Sequence, residues 1–361
     1  MDFEHRFRTC IGLVFVAMVM AWPSHLIGQN PTGDVQPGPI EITSPLAKFA
    51  RMLNGEWRGR QYDTWDWGPG KHSLRVITHG ESADKPWREL SVLYWHPSRK
   101  QIHTLGLNPF ERSVSEGTVK FENETMETVS TLYQTGVERH MVLRDSFRSP
   151  DNYQSKLFEK NAQGKLEPLA EWNIVRAKTR TPMRLTQPED LPQPSIHLQA
   201  LEPFLGHVWK KIGATKDDWT NSESSEVQSR FEWVPYADYV YVRTDHKADN
   251  GEITALLETY FYYHPALKTL RFLALSHSGG VYEGDVVMID GKDLQVEWKG
   301  YEGETVHTFV ARVSIEQDES VGVRVWSVAG EQRIFVHDSH HAKFKPSDNQ
   351  QPATGTRSPT P

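Results

Sequence analysis

Two stretches of the chain carry apolar residues at i, i+3, i+6 and i+7: Leu46, Phe49, Met52 and Leu53, then Leu198, Leu201, Phe204 and Leu205. That spacing is one face of a short helix. Ser44-Pro45 and Ser195 supply N-terminal start signals, and Pro203 is expected to end the second helix early. A tryptophan follows each stretch four residues later, Trp57 and Trp209. From there the pattern changes to short runs rich in β-branched and aromatic residues. The first series predicts strands beginning at Trp57 and over 73–78, 88–95, 101–107, 113–121, 126–133, 140–147, 154–160 and 170–176, with Trp65-Asp-Trp67-Gly-Pro-Gly70 as a turn-rich loop. The second predicts 226–233, 238–245, 253–263, 269–276, 281–289, 294–298, 307–315, 321–328 and 333–338, with Asp290-Gly291 as a hairpin signal. Short strands at roughly ten-residue spacing, with no long helix among them, specify an antiparallel barrel or sandwich. A helix running into a Trp-marked strand reads as a plug over a barrel end, with Trp57 and Trp209 as the barrel-closing residues.

The breaks in this pattern divide the chain. Residues 1–28 read as a signal peptide: Arg6 and Arg8 precede an apolar run from Ile11 to Ala21, and Pro23 ends it. The run is shorter than a membrane span, so no transmembrane segment is expected after cleavage, which would follow Ala21 or Gly28. The implied location is secreted or periplasmic. Residues 29–43 read as a flexible tether, 44–179 as barrel 1, 180–194 as a Pro-rich linker, 195–345 as barrel 2 and 346–361 as a disordered tail. The linker lacks apolar residues that would merge the barrels into one core, so proteolysis there is expected to leave two folded fragments.

Composition narrows the chemistry. The net charge of −7 argues against nucleic-acid binding. The one cysteine, Cys10, falls inside the signal segment, so a mature chain would carry no disulfide, thiol nucleophile or Cys-ligated metal. Twelve tryptophans and twelve tyrosines concentrate in the strand runs, which suits half-buried sheet.

The two halves share more than a plug. Tyr94-Trp95-His96-Pro97 precedes a strand and then Glu116-Gly117; Tyr262-Tyr263-His264-Pro265 precedes a strand and then Glu283-Gly284. Three landmarks in one order indicate a duplication. The second copy carries sixteen extra residues between its Trp and its His-Pro. These landmarks resemble an uncharacterised bacterial lipocalin-like (calycin) family whose members open with L-x-x-L-x-G-x-W. The glycines differ in place, since Gly55 stands two residues before Trp57 and Gly206 three before Trp209. The resemblance implies a barrel able to enclose an interior cavity and no established reaction; with the repeat and the strand pattern, the expected fold is all-β, two tandem antiparallel lipocalin-like β-barrels, each preceded by a short plug helix.

Candidate chemistry is weighed against turn and core roles. His96 and His264, each before a proline, read first as turn residues. Glu116 and Glu283 are acid–base candidates only if they point into a barrel. On a strand His337 and His341 share a face and His340 takes the other, which reads as a strand end. His103, His277 and His307 are candidates for a single axial haem ligand. No catalytic, cofactor-binding or metal-binding residue is assigned. Strand aromatics point instead to a ligand pocket in barrel 2, built from Trp209, Tyr241, Tyr260, Tyr262, Tyr282 and Trp298, with Arg243 and Arg271 as anchors for an anionic head group. The favoured function is non-catalytic binding of a small apolar or amphipathic molecule. The alternatives are an interaction module with solid barrels, and an enzyme using haem or a His/Glu pair in a cavity.

Overall fold

A computed structural model describes residues 45–344, apart from 54, 83–84, 178–195, 212–225, 235–238, 249, 290–292 and 317–318. The signal, tether, linker and tail segments, and the Asp290-Gly291 turn, lie outside the described residues. Among those described, the chain forms two closed antiparallel barrels of ten strands each. The first comprises β1 (Glu56–Arg58), β2 (Tyr62–Trp67), β3 (Ser73–Ser82), β4 (Lys85–His96) and β5 (Gln101–Asn108). It continues through β6 (Ser113–Glu122), β7 (Thr125–Gln134), β8 (Val137–Ser149), β9 (Asn152–Lys160) and β10 (Leu166–Ala177). The second comprises β11 (Val208–Lys211), β12 (Glu226–Trp233), β13 (Tyr239–Lys247), β14 (Ile253–His264) and β15 (Thr269–Ser276). It continues through β16 (Val281–Met288), β17 (Asp293–Glu302), β18 (Thr305–Ile315), β19 (Val321–Ala329) and β20 (Gln332–Phe344). In each barrel the strands follow chain order and the first pairs with the last, β1 with β10 and β11 with β20. Closure leaves no open sheet edge.

The stretch read as a Trp-bearing loop is strand β2. Its alternation buries Asp63 and Trp65, and Trp65 stacks on Phe49 at 6.2 Å between ring centroids. Its glycines and proline act only after Trp67, in a short 3-10 turn at Pro69–Lys71.

Both amphipathic stretches are 3-10 helices, Pro45–Met52 and Ile196–Phe204, burying Leu46, Phe49 and Met52 in one and Leu198, Leu201 and Phe204 in the other. Each lies in its barrel's apolar core. The Trp57 indole N–H donates to the Met52 carbonyl at 2.9 Å, and that of Trp209 to the Phe204 carbonyl at 3.3 Å. The five-residue step from carbonyl to Trp is therefore kept in both copies, although the glycine between them shifts by one. In barrel 1 the helix is tied to the β6–β7 and β8–β9 turns: Arg51 pairs with Glu124, and Arg176 bridges Asp151 to the Leu53 carbonyl. By strand alternation, the hairpins β3–β4, β5–β6, β7–β8 and β9–β10 ring the opposite end.

The barrels do not stand apart. Leu90, Val92, Tyr94, Leu105, Leu107 and Val114 on the outer face of barrel 1 share one apolar cluster with Tyr239, Tyr260, Tyr262, Leu273, Leu275 and Val281 of barrel 2. What joins the two units is strand faces, which a reading of linker composition does not see. The contacts are reciprocal. The Tyr94 hydroxyl donates to Glu283 at 2.8 Å, and that of Tyr262 to Glu116 at 3.0 Å. His96 packs on Tyr301 at 4.4 Å, and His264 on Tyr133 at 4.6 Å. This is the self-complementary geometry of a twofold dimer, built here between the halves of one chain. The aromatic-x-His and Glu-Gly landmarks are thus seam residues. At the seam's edge, Gly70 adopts φ +59°, and a Cβ there would stand 1.9 Å from the His277 carbonyl oxygen, so only glycine permits that approach.

Candidate functional site: the interior of the first barrel

The inward face of each strand follows from register. In barrel 2, Val240, Phe261, Phe272, Ala274, Val296, Ala311, Val313, Val321, Val323 and Val325 have no accessible surface or about 1% at most. Even the inward polar residues Ser229, Thr259 and His341 are sealed, at 0–1%. The described interior of barrel 2 is filled through most of its length, with half-buried inward residues such as His307 and Phe309 only toward the end away from the helix.

Barrel 1 is filled only at its helix end, where Leu46, Phe49, Met52, Trp57, Trp65, Leu74, Ile102, Phe147 and Ile174 pack together. Beyond this layer the inward positions turn polar and regain accessible surface. On β7, Thr128, Ser130, Leu132 and Gln134 share the inward face of Met126, and all four are half-buried. Their inward neighbours Ser115, Gly117, Met141, Leu143 and Leu157 are half-buried too. This end of barrel 1 is therefore packed less tightly than its helix end.

Three carboxyl groups occupy inward positions of barrel 1, Asp63 across from Trp57 and Asp145 across from Met126 of the packed layer. Asp63 aligns with Thr78 on β3, and Thr78 with Glu89 on β4; Asp145 aligns with Ser155 and Met126. Burial pushes the Asp63 carboxyl up to about 6, against hydrogen bonds from Thr78, Tyr153 and Gln61. Burial, with the charges of Glu111 and Asp63, raises Glu89 to about 7, opposed by Asn108. Burial and the charge of Asp63 raise Asp145 to about 7, opposed by its hydrogen bond from Ser155. Asp63 is 6% exposed, and its Oδ1 has no hydrogen-bond partner. Among the described residues no Lys or Arg pairs with any of the three. Where cations do approach the rim they are taken: Arg139 clamps Glu159 with two bonds of 2.8 and 2.7 Å. The arrangement gathers three carboxyls at inward positions, each pushed by burial well above the ordinary carboxylate range.

The residues expected to form one pocket are not brought together. Trp209, Tyr282 and Trp298 face the filled interior of barrel 2, with the Tyr282 hydroxyl on Glu302 at 2.8 Å and Trp298 stacked on Phe309. Tyr241, Tyr260, Tyr262 and Arg271 alternate to the other face and meet barrel 1. Tyr241 and Tyr260 both donate to Glu258, which pairs with Arg75 of β3, and Arg271 bonds Glu116 at 3.1 Å. Arg243 lies further out, on Asp245. One residue of parity separates the two groups. Glu116 and Glu283 likewise point outward, into the seam, beside a cavity of about 280 Å³ that also contacts Arg99 and His103. Burial and Arg99 bring His96 and His103 down to about 4, so both are neutral bases there. His337, Ser339 and His341 share the inward face of barrel 2, and His340 pairs outside with Glu316.

Asp63, Glu89 and Asp145 escaped sequence reading, although a signal was present. Each lies at even spacing from an inward aromatic or aliphatic residue: Asp63 from Trp65, Asp145 from Phe147, Glu89 from Leu93.

No known protein-family profile and no curated protein matches this chain. Among solved structures, a "putative outer membrane protein" from Bacteroides fragilis NCTC 9343 aligns at 11% identity over 83% of this chain and 99% of its own, with a TM-score of 0.17. A score that low carries no argument. Among the described residues no helix is long and apolar enough to cross a membrane. The outward faces of β7–β10 bear ion pairs, Arg144–Glu127 and Lys156–Glu171, where a strand in lipid carries an apolar band.

Proposed function

We propose that the chain is a two-barrel binding protein in which barrel 1 admits a small polar molecule and barrel 2 is its rigid support. One observation carries this reading. A carboxylate oxygen of Asp63 is buried without a partner, at an inward position across from Trp57, in a barrel that keeps half-buried inward residues on β7. A buried polar atom left unsatisfied costs about 1–3 kcal/mol; a bound ligand or ordered water would recover it. The ligand is then held in barrel 1 rather than in barrel 2, and is polar rather than apolar. The solid-barrel alternative describes barrel 2 well, since its filled interior suits a scaffold. Export remains part of the proposal, resting on the basic and apolar pattern of residues 1–28.

The test fills the lumen. Leu132→Trp places a large ring at an inward, half-buried position. In an open chamber the variant folds with stability within about 1 kcal/mol of the parent; in a packed one, overpacking costs about 1–3 kcal/mol. Native mass spectrometry of the intact parent should show a co-purifying small molecule that the variant lacks. A tightly packed response, with no bound mass in either protein, overturns the reading.

A further inference from the structure

We propose that a cavity between the two barrels binds a small organic monoanion, a carboxylate on an apolar body, with its oxygens on Arg112 and Ser113. The site lies outside the barrel 1 interior, so it goes beyond the binding reading above and does not rest on it.

Charge separates two cavities of the seam. The one of about 280 Å³ is lined by Glu116, Glu283, Arg99 and Arg271. These groups answer one another: Arg271 bonds Glu116 at 3.1 Å, and Arg99 stands 3.7 Å from Glu283. That cavity is neutralised from within. The other, of about 340 Å³, lies between the β5–β6 and β7–β8 turns of barrel 1 and, in barrel 2, the start of the helix Ile196–Phe204 and the end of β14. No Asp or Glu is among its described lining residues, although the whole chain carries a net charge of −7.

Two polar groups in its wall are left open. Ser113 is 3% exposed, and its Oγ has no hydrogen-bond partner among the described residues. A buried hydroxyl without a partner is costly, and a ligand oxygen would satisfy it. The adjacent Arg112 carries a guanidinium that pairs with no described carboxylate. Its neighbours are committed elsewhere: Glu111 accepts from Gln134 at 3.2 Å, and Asn108 Oδ1 accepts from the Phe110 and Glu111 backbone N–H groups. Across the cavity stands the first turn of the nine-residue helix, whose dipole adds a positive bias.

The remaining wall suits hydrocarbon. Leu107 and Val114 face each other across β5 and β6. His197 and Tyr263 stack with ring centroids 3.6 Å apart and planes 6° apart. Ile196 beside them is 72% exposed, apolar surface that a bound body would cover. A mostly apolar cavity with a few convergent polar groups, at a domain interface, is the usual form of a small-molecule site. One open arginine matches one negative charge, and a carboxylate presents it two acceptors while reaching the hydroxyl beside it.

Isothermal titration of the full chain with phenylacetate, 2-phenylethanol, phenethylamine and inorganic phosphate tests this. Phenylacetate should bind saturably, and the alcohol and the amine about tenfold more weakly or worse, the worth of a bond to a charged group. Arg112→Gln, at an exposed position, should weaken phenylacetate by a similar factor, and Arg112→Lys should restore part of the loss. Ser113→Ala should weaken it about fivefold, the worth of one neutral hydrogen bond. Its Tm should stay level or rise, because the hydroxyl it removes has no partner in the free protein; a fall would overturn the assignment of Ser113. Asp63→Asn, inside barrel 1, should leave phenylacetate binding unchanged, which keeps this site distinct from the interior one. A loss there as large as in Arg112→Gln would overturn the cleft assignment. Alcohol or amine binding as tightly as phenylacetate would overturn the anion assignment. Phosphate binding as tightly would mean a bare ion site, and silence from every probe no site; either overturns the proposal.

Discussion

The two barrels share strand number, chain order, helix and tryptophan geometry, yet differ in what fills them. Barrel 2 is packed with Val, Leu, Phe and Ala at zero or near-zero exposure. Barrel 1 stops packing halfway and turns polar where its partner stays mostly apolar, although Asp63, across from Trp57, stands where barrel 2 has Ser229 across from Trp209. The pair teaches that a closed ten-strand barrel does not by itself determine whether it is hollow. The inward side-chain set decides, at a level below topology. Their shared seam suggests a division of labour, in which the filled barrel stabilises a neighbour that carries buried charge.

The largest expected difference concerns core truncation. Phe272→Ala removes a fully buried ring from barrel 2 and should cost about 3–5 kcal/mol in urea unfolding. Leu132→Ala, at the half-buried inward face of barrel 1, should cost under about 1.5 kcal/mol. Equal losses would mean both barrels are solid.

Next comes pH. The folded values of Glu89 and Asp145, each about 7, lie above the unfolded carboxylate range. A raised carboxyl contributes fully below its unfolded value, near pH 4, and loses that contribution as pH rises through about 7. Glu89→Gln and Asp145→Asn mimic the protonated forms, so each should stabilise the ligand-free protein by about 1–3 kcal/mol at pH 8 and have little effect at pH 4. His96 and His103 act in the opposite sense. Depressed to about 4, they lose stability as pH falls from 6.5 toward 4, which is why the variant-minus-parent difference is the quantity to measure. A gain that does not depend on pH would contradict the lumen electrostatics.

A third test asks how far barrel 1 depends on its partner. Proteolysis at 178–194 should yield halves that co-elute on size exclusion, held by the shared cluster and the reciprocal Tyr–Glu bonds. Tyr94→Phe and Tyr262→Phe should each cost about 1 kcal/mol, and the double variant should let the nicked halves separate at low concentration. Separation of the parent halves on nicking would restore the reading of two independent domains. The smallest effect belongs to the rim: Arg139→Met breaks a half-exposed pair and should cost under about 1 kcal/mol.

What the sequence determined by itself was local. Most strand positions, the two amphipathic helices and the Trp that follows each are set by period, turn residues and aromatic content, β2 being the strand that its Trp and Gly residues disguised as a loop, and the tandem repeat is legible in three landmarks. The constant spacing from helix to Trp is legible as well, whereas the indole-to-carbonyl bond it serves is seen only in the fold. Tertiary structure alone decided which face of each strand looks inward. Tyr260 and Phe261 are neighbours in sequence, yet one meets barrel 1 and the other the core of barrel 2, because alternation assigns faces only once the register is known. The same holds for the acids. Glu116 and Glu283 drew attention through their repeat and point into the seam, whereas Asp63, Glu89 and Asp145 drew none and line the lumen. Their spacing recorded that they share a face with Trp65, Leu93 and Phe147; only closure of the barrel made that face an interior.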